Sequence, residues 1–386
     1  MIRFKTGFVF LSISLIAACD SESLDIEAPT EANIQLGPRP AYLVDQLAEG
    51  ELKDSLTSCL NNQSHFEKSE LSIGHRGAPL MFPEHTKESY VAAARMGAGV
   101  LECDVAFTSD AELVCRHSHS DLHTTTNVLA TELADKCSIP FTPADELNGV
   151  QAQAECRTSD FTLAEFKSLQ GKMDAYNPNA TTVAEYMDAT PSYRTDLYAG
   201  TGILMTHKES IALFKELGVK MTPELKTPDA QDLAAAGLTQ EEFAQKMIQE
   251  YIDAGIAPSD VYPQSFLIDD VEYWVANTPE FGEQGVYLTF SLNNVPTPAE
   301  IVEKGINIIA PIYPLLVTKS GDEVVATDYA NEIKESGLDI ITWTIERQYT
   351  DYNELEVVNV LKNDINAIGI FSDWPATVTF VDNCTE

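Results

Sequence analysis

Eight short apolar runs, most of them separated by helical patterns, restrict the fold of this chain more than any other feature. They fall at residues 71–75, 100–106, 219–224, 261–266, 286–291, 306–310, 338–343 and 367–372. Helix-like periodicity occupies residues 87–96, 210–217, 240–254, 298–303, 328–335 and 352–361. Parallel strands need long crossovers, and amphipathic helices supply them while covering the sheet. Eight such units predict an α/β architecture, a closed (β/α)8 TIM barrel. The rhythm breaks between Thr108 and about Thr206. That stretch holds a hairpin strand at 113–117, a helical segment at 162–169, and Cys137 and Cys156. It is too long for a structureless loop. We read residues 108–206 as a small subdomain inserted after the second strand, above the C-terminal mouth where such barrels keep their active sites.

The segments before the barrel read differently. A positive start (Arg3, Lys5) and a short apolar core at 7–16 run into Ile16-Ala17-Ala18-Cys19. Residues 1–19 therefore read as a lipoprotein signal peptide, with Cys19 as the lipidated residue. Ordinary secretion with Cys19 discarded is the alternative. Residues 20–70 read as an acidic tether, to about Pro40, and an N-terminal extension, and residues 71–386 as the barrel. This places the protein in a bacterial cell envelope, periplasmic or on the outer surface, with the membrane engaged only through the lipid.

Asp and Glu outnumber Lys and Arg by 60 to 24, a formal net charge of −36. Such a surface repels polyanions, which argues against nucleic acid as a partner. Apart from Cys19 there are six cysteines, an even number that suits disulfides in an exported chain. Their pairing is open from sequence. The preferred set is Cys137–Cys156 within the insert, Cys103–Cys115 between neighbouring strands, and Cys59–Cys384 tying the termini. A zinc site is the rival, but no C-x-x-C is present.

The chemistry concentrates in one stretch. His75-Arg76-Gly77 follows the first run, as where a strand ends in a glycine turn. Glu102 and Asp104 are two apart in the second run, so both point to one face of a strand. Paired buried acids are costly unless a cation lies between them. A hard metal ion would do that, leaving His75 and His117 for proton transfer. His65, His123 and His207 read as surface residues.

These residues carry a resemblance. His75-Arg76-Gly77, Pro83-Glu84-His85-Thr86, Glu102-x-Asp104, Asp110, residues 114–117 and Thr124-Thr125-Thr126 resemble the N-terminal signature of the glycerophosphodiester phosphodiesterase family. The similarity continues through Thr162-Leu163-Ala164-Glu165-Phe166, Pro223-Glu224-Leu225-Lys226, Gln264-Ser265-Phe266, Trp343-Thr344 and Ser372-Asp373-Trp374-Pro375. The order is kept throughout, from about Leu71 to Val381.

The resemblance implies a metal-dependent enzyme that hydrolyses small glycerophosphodiesters to sn-glycerol 3-phosphate and an alcohol. It implies a divalent ion, Ca²⁺ or Mg²⁺, on Glu102, Asp104 and Glu224, since oxygen-only ligands favour hard ions. His75 and His117 are carried over as the acid/base pair. Arg76 suits the phosphoryl oxygens, Lys226 adds a second positive charge, and Glu84, Gln264 and Trp343 are further substrate contacts. The chain departs from the family pattern at His85, where many members have Asn. It departs again at Ser118, where many have an acid that could orient the second histidine; His119 follows. Two other functions compete: a sphingomyelinase- or phospholipase D-type lipid phosphodiesterase, and a non-catalytic envelope binding protein on the same barrel. The polar, acidic insert argues against the first, and the intact histidine and carboxylate set against the second.

Overall fold

The computed structural model describes residues 33–63, 65–198, 202–293, 295–347 and 349–385. The leader and Cys19 lie outside the described residues. In chain order the strands are β1 (Ser69–Gly74), β2 (Ala98–Phe107), β3 (Leu113–Cys115), β4 (Ile139–Thr142), β5 (Gln153–Glu155), β6 (Gln170–Gly171), β7 (Gly202–Ile203) and β8 (Lys220–Leu225). They continue as β9 (Gln264–Ser265), β10 (Val286–Thr289), β11 (Ile308–Pro311), β12 (Val317–Ser320), β13 (Glu323–Ala326), β14 (Asp339–Ile345) and β15 (Gly369–Ser372).

Eight of these pair in parallel in the order β1, β2, β8, β9, β10, β11, β14, β15, and β15 returns to β1 to close the ring. The expected barrel is the observed one, with helices crossing between its strands. Alternation along β2 shows how it is built. Leu101, Cys103 and Val105 face the outer layer of helices. Val100 belongs to the cluster that fills the barrel with Ile73, Val286, Leu288, Ile308, Ala310, Ile341 and Phe371. Glu102 and Asp104 follow Val100 on the same inward face, nearer the C-terminal mouth.

The fourth expected strand is the one most shortened. Only Gln264–Ser265 ladders, with Val261 making a single bridge to Met221. Pro263 stands between them, and its missing N–H interrupts the ladder. The β12–β13 hairpin was not anticipated from the sequence.

Beyond β3, which pairs antiparallel with β2, the insert has its own small core, including Leu122, Phe161, Phe166 and Tyr186. It forms two further two-stranded pairs, β4–β5 and β6–β7. Thr162 caps the short helix Leu163–Phe166, with Glu165 completing a capping box.

Residues 33–40, read as part of the tether, pack on the barrel instead: Ile34 and Leu36 are buried and Gln35 N donates to Arg95 O. Their apolar side chains, spaced two apart, find a covered surface there. Helix Glu51–Asn62 is fastened to the last helix, Ala376–Cys384, by a disulfide. All three expected disulfides form: Cys59–Cys384, Cys103–Cys115 and Cys137–Cys156. Among the described residues no helix is long and apolar enough to cross a membrane.

Candidate active site

The inward carboxylates meet because the parallel register puts them level. Asp104 is opposite Glu224, and Glu224 is opposite Gln264. Oxygens of Glu102, Asp104 and Glu224 all lie within 4.8 Å of one another, and all three residues are buried. Glu102 accepts from the Arg76 backbone N–H (2.8 Å) and from Gln264 Nε2 (2.9 Å). Lys226 Nζ donates to Glu224 (2.6 Å) and stands 3.9 Å from Asp104. His85 Nε2 is 2.9 Å from Asp104 Oδ2.

Electrostatics separate these acids. Burial pushes the Glu102 carboxyl well above the usual carboxylate range, and the Asp104 and Glu224 charges push it further. Burial lifts Glu224 to about 7, against the pull of Lys226. Burial also acts upward on Asp104, but Lys226 and His85 outweigh it and hold that carboxyl well below its ordinary value. Lys226 and Arg76, whose Nε is 3.7 Å from Asp104 Oδ2 but which is already paired with Glu84, do not balance three carboxylates in a dry pocket. Asp104 Oδ1 and Gln264 Oε1 are buried without a hydrogen-bond partner among the described residues. Unpaired acceptors around a carboxylate cluster are what a hard cation satisfies, so the residues present fit an oxygen-ligated divalent ion.

His75 starts the turn after β1. Its N–H donates to Ser372 O, which fastens the turn to β15. Gly77 adopts φ +91°, and a Cβ there would come within 2.4 Å of Ser89 Oγ, so only glycine fits the turn. Arg76 and His85 have φ near +55°, an uncommon conformation for non-glycine residues. His75 Nδ1 is 2.6 Å from Asp373 Oδ1, so the ring proton belongs on Nδ1. His75 Nε2 then lies 3.9 Å from Glu102. Arg347 holds the other side of Asp373, with Nε 2.6 Å from Oδ2. Burial pulls the His75 imidazole down to about 4, with Asp373 opposing.

His117 lies just past β3 and lines the same pocket as His75, Arg76, Glu102, Glu224 and Gln264. Burial, then Arg76 and Lys226, hold its ring well below the ordinary histidine value. Two acids stand near this ring where Ser118 offers none, Glu84 from its buried pair with Arg76 and Asp121 three residues on. Asp121 has a carboxylate oxygen within 4.8 Å of a His117 ring nitrogen, and it accepts from the Ser118 N–H (2.9 Å). Burial raises Asp121 to about 7. His119 turns away to pack edge-on against Phe107.

The opposite wall is apolar. Trp343 is fixed by its indole N–H to Ala310 O (2.9 Å) and meets Phe266 edge-on, with Leu288 and Phe371 beneath. Glu84 departs from the expectation of a substrate contact. Its carboxylate is fully buried behind Arg76, 3.1 Å from Nη1, with Arg194 on its other side (3.4 Å). Two guanidiniums occupy it and its side chain is wholly covered, with one oxygen within 4.8 Å of a His117 ring nitrogen. His207 is not on the surface either: it is fully buried between Glu250 (2.9 Å) and Tyr251 (3.1 Å).

Arg194, Arg347 and Asp121 were not anticipated as site residues, and Asp373 was noticed only as part of a motif. A buried Asp beside a strand end was the one available signal, in Ser372-Asp373. The arginines carry no local pattern.

Comparison with known proteins agrees with this geometry. The model of the glycerophosphoryl diester phosphodiesterase family matches residues 75–377, which span every pocket residue named above. An extracellular protein of Arthroderma benhamiae is 39% identical over 243 residues, covering 55% of this chain and 99% of its own. A glycerophosphodiester phosphodiesterase of Haemophilus influenzae is 23% identical over 365 residues, covering 83% and 93%. Among solved structures, an Oleispira antarctica phosphodiesterase in complex with the product sn-glycerol-3-phosphate superposes with a TM-score of 0.52 at 16% identity, covering 82% of this chain and 97% of the other. With the barrel closed and the histidines and carboxylates gathered at its mouth, the chain belongs to the glycerophosphoryl diester phosphodiesterase family.

Proposed function

We propose that the protein hydrolyses small glycerophosphodiesters to sn-glycerol 3-phosphate and an alcohol, using a divalent ion and two histidines. The observation that carries this reading is the convergence of Arg76, His75 and His117 on the Glu102–Asp104–Glu224 cluster in one pocket. Those three carboxylates would hold Ca²⁺ or Mg²⁺, which when bound supplies Lewis-acid stabilisation of charge on the phosphoryl oxygens. Arg76 orients the phosphoryl group with its guanidinium, and Lys226 adds positive charge beside it. One histidine takes the proton of the attacking glycerol 2-hydroxyl, and the other protonates the leaving alcohol. Water then opens the cyclic phosphate. Asp373 fixes the His75 tautomer so that Nε2 faces the substrate. Trp343 and Phe266 give the pocket an apolar wall against which the carbon skeleton of the substrate packs.

The three disulfides and the relative named an extracellular protein support work in an oxidising compartment outside the cytosol. Lipid attachment at Cys19 is carried by the Ile16–Cys19 box alone, and mass spectrometry of the mature N-terminus tests it.

The activity is tested by offering glycerophosphocholine and sphingomyelin to the chain from residue 20 onward, with Ca²⁺, Mg²⁺ or EDTA. We expect metal-dependent release of glycerol 3-phosphate from the first. Turnover of sphingomyelin alone would favour the lipid phosphodiesterase, and no turnover of either would leave a binding protein. Glu102→Ala should lose bound metal and activity together. His117→Ala should keep the metal by elemental analysis yet lose turnover; near wild-type rates would remove it from the acid/base pair.

A further inference from the structure

Arg194 belongs to the insert, yet it reaches the back of the phosphate wall. Its neighbour Thr195 donates its backbone N–H to Leu80 O (3.0 Å), and Leu80 N–H donates to Asp373 O (3.4 Å). The insert is thereby laced to the turn that carries Arg76 and to the end of β15. The Arg194 side chain is only 1% exposed. Nη1 is 3.4 Å from Glu84 Oε2, and Tyr193 lies beside the guanidinium, 5.6 Å from ring centre. Its Nε and Nη2 are buried without a hydrogen-bond partner among the described residues. Burying a cation this incompletely satisfied is costly, and a segment needing only an anchor has no reason to do so.

Charge counting gives the reason. Glu84 is bound by Arg76 through both carboxylate oxygens, at 3.1 and 3.2 Å. Left as a pair, the two cancel, and Arg76 presents little positive potential to an anionic substrate. Arg76 also faces Asp104, with Nε 3.7 Å from Oδ2, so a second guanidinium that takes up part of the Glu84 charge frees more of the Arg76 charge, in a dry site where fields are weakly screened. The chain is otherwise strongly acidic, at −36, and three carboxylates share this site, so each positive charge offered to an anion matters.

We propose that Arg194 is a positioning residue of the phosphate site: by sharing the charge of Glu84 it keeps Arg76 available to the phosphoryl group. This rests on the reading of Arg76 as the phosphate ligand. The insert then contributes to substrate binding through one buried cation that never touches the substrate.

The test is titration of inorganic phosphate onto the Mg²⁺- or Ca²⁺-loaded protein by calorimetry, alongside kcat and KM for glycerophosphocholine. Arg194→Met should weaken phosphate binding and raise KM by about tenfold, with kcat much less affected. Arg194→Lys should recover most of the loss. In a Glu84→Gln background the same Arg194→Met change should cost little, because no charge remains to be shared; a purely structural anchor would cost as much in either background. Phosphate affinity of folded Arg194→Met within about twofold of wild type, or an equal loss in both backgrounds, would overturn the proposal. Should Arg194→Met fail to fold, Arg194→Gln measured in the wild-type and Glu84→Gln backgrounds supplies the same comparison. A wild-type protein that binds phosphate but turns over no diester would sink the proposed activity, while the affinities still decide the role of Arg194.

Discussion

At the scale of residues, the site works through partners that hold other partners. Asp373 contributes no atom to the pocket lining, yet it sets which nitrogen of His75 carries the proton. Asp373→Asn keeps the shape and removes the charge, so kcat should fall roughly 10- to 100-fold with KM little changed, measured by steady-state kinetics. Glu346 shows a second kind of dependence. Its carboxyl receives Ser372 Oγ, Thr377 Oγ1 and the Asp373 N–H, and burial raises it to about 8, with Arg39 opposing. A carboxyl raised above its unfolded value of 4.5 contributes stability that is fully present below that pH. This contribution is lost as pH climbs through about 8. Glu346→Gln should therefore gain on the wild type as pH rises from 5 to 9, by at most a few kcal/mol, in paired thermal melts. A constant difference across that range would show that Glu346 is already ionised when folded. His75, Glu102 and Asp104 could be read from sequence because they crowd one stretch with strand spacing. Asp373 and Arg194 could not, because only chain closure and the docked insert bring them to His75 and Glu84.

Among the elements, β3 is short but carries a large share of the geometry. It ends at Cys115, which is joined to Cys103 on β2, and His117 follows two residues on. Replacing Cys103 and Cys115 with serine should lower the melting temperature and kcat together, since the cross-link holds the strand that presents His117. Replacing Cys59 and Cys384 removes a bridge between two helices that do not line the pocket, spanning 325 residues. That pair should lower the melting temperature by the equivalent of about 2–4 kcal/mol and leave kcat and KM unchanged. A fall in kcat for the second pair, or none for the first, would contradict this assignment. The strands themselves were legible because barrel strands are buried on both faces and read as continuous apolar runs. The β12–β13 hairpin was missed because two four-residue strands around Gly321 give too little periodicity to register.

For the whole molecule, the charge of −36 acts on every substrate that approaches. A glycerophosphodiester with a neutral head group is a net anion and meets repulsion, whereas glycerophosphocholine is zwitterionic. Raising the ionic strength to about 0.15 M shortens the reach of that field to about 8 Å. We expect kcat/KM for glycerophosphoglycerol to rise a few-fold with salt while that for glycerophosphocholine stays nearly level. Equal salt dependence would mean that the field at the pocket mouth is set locally by Arg76 and Lys226. Barrel closure was legible from eight runs, but which ends of the chain meet in the site was not. His75 stands just past the first strand and its partner Asp373 just past the last, 298 residues away. A chain emerging N-terminus first carries its histidine, arginine and carboxylates long before the residue that orients them. On the proposed mechanism the acid/base pair stays incomplete until the final strand seats against the first, so activity requires the ring to be shut.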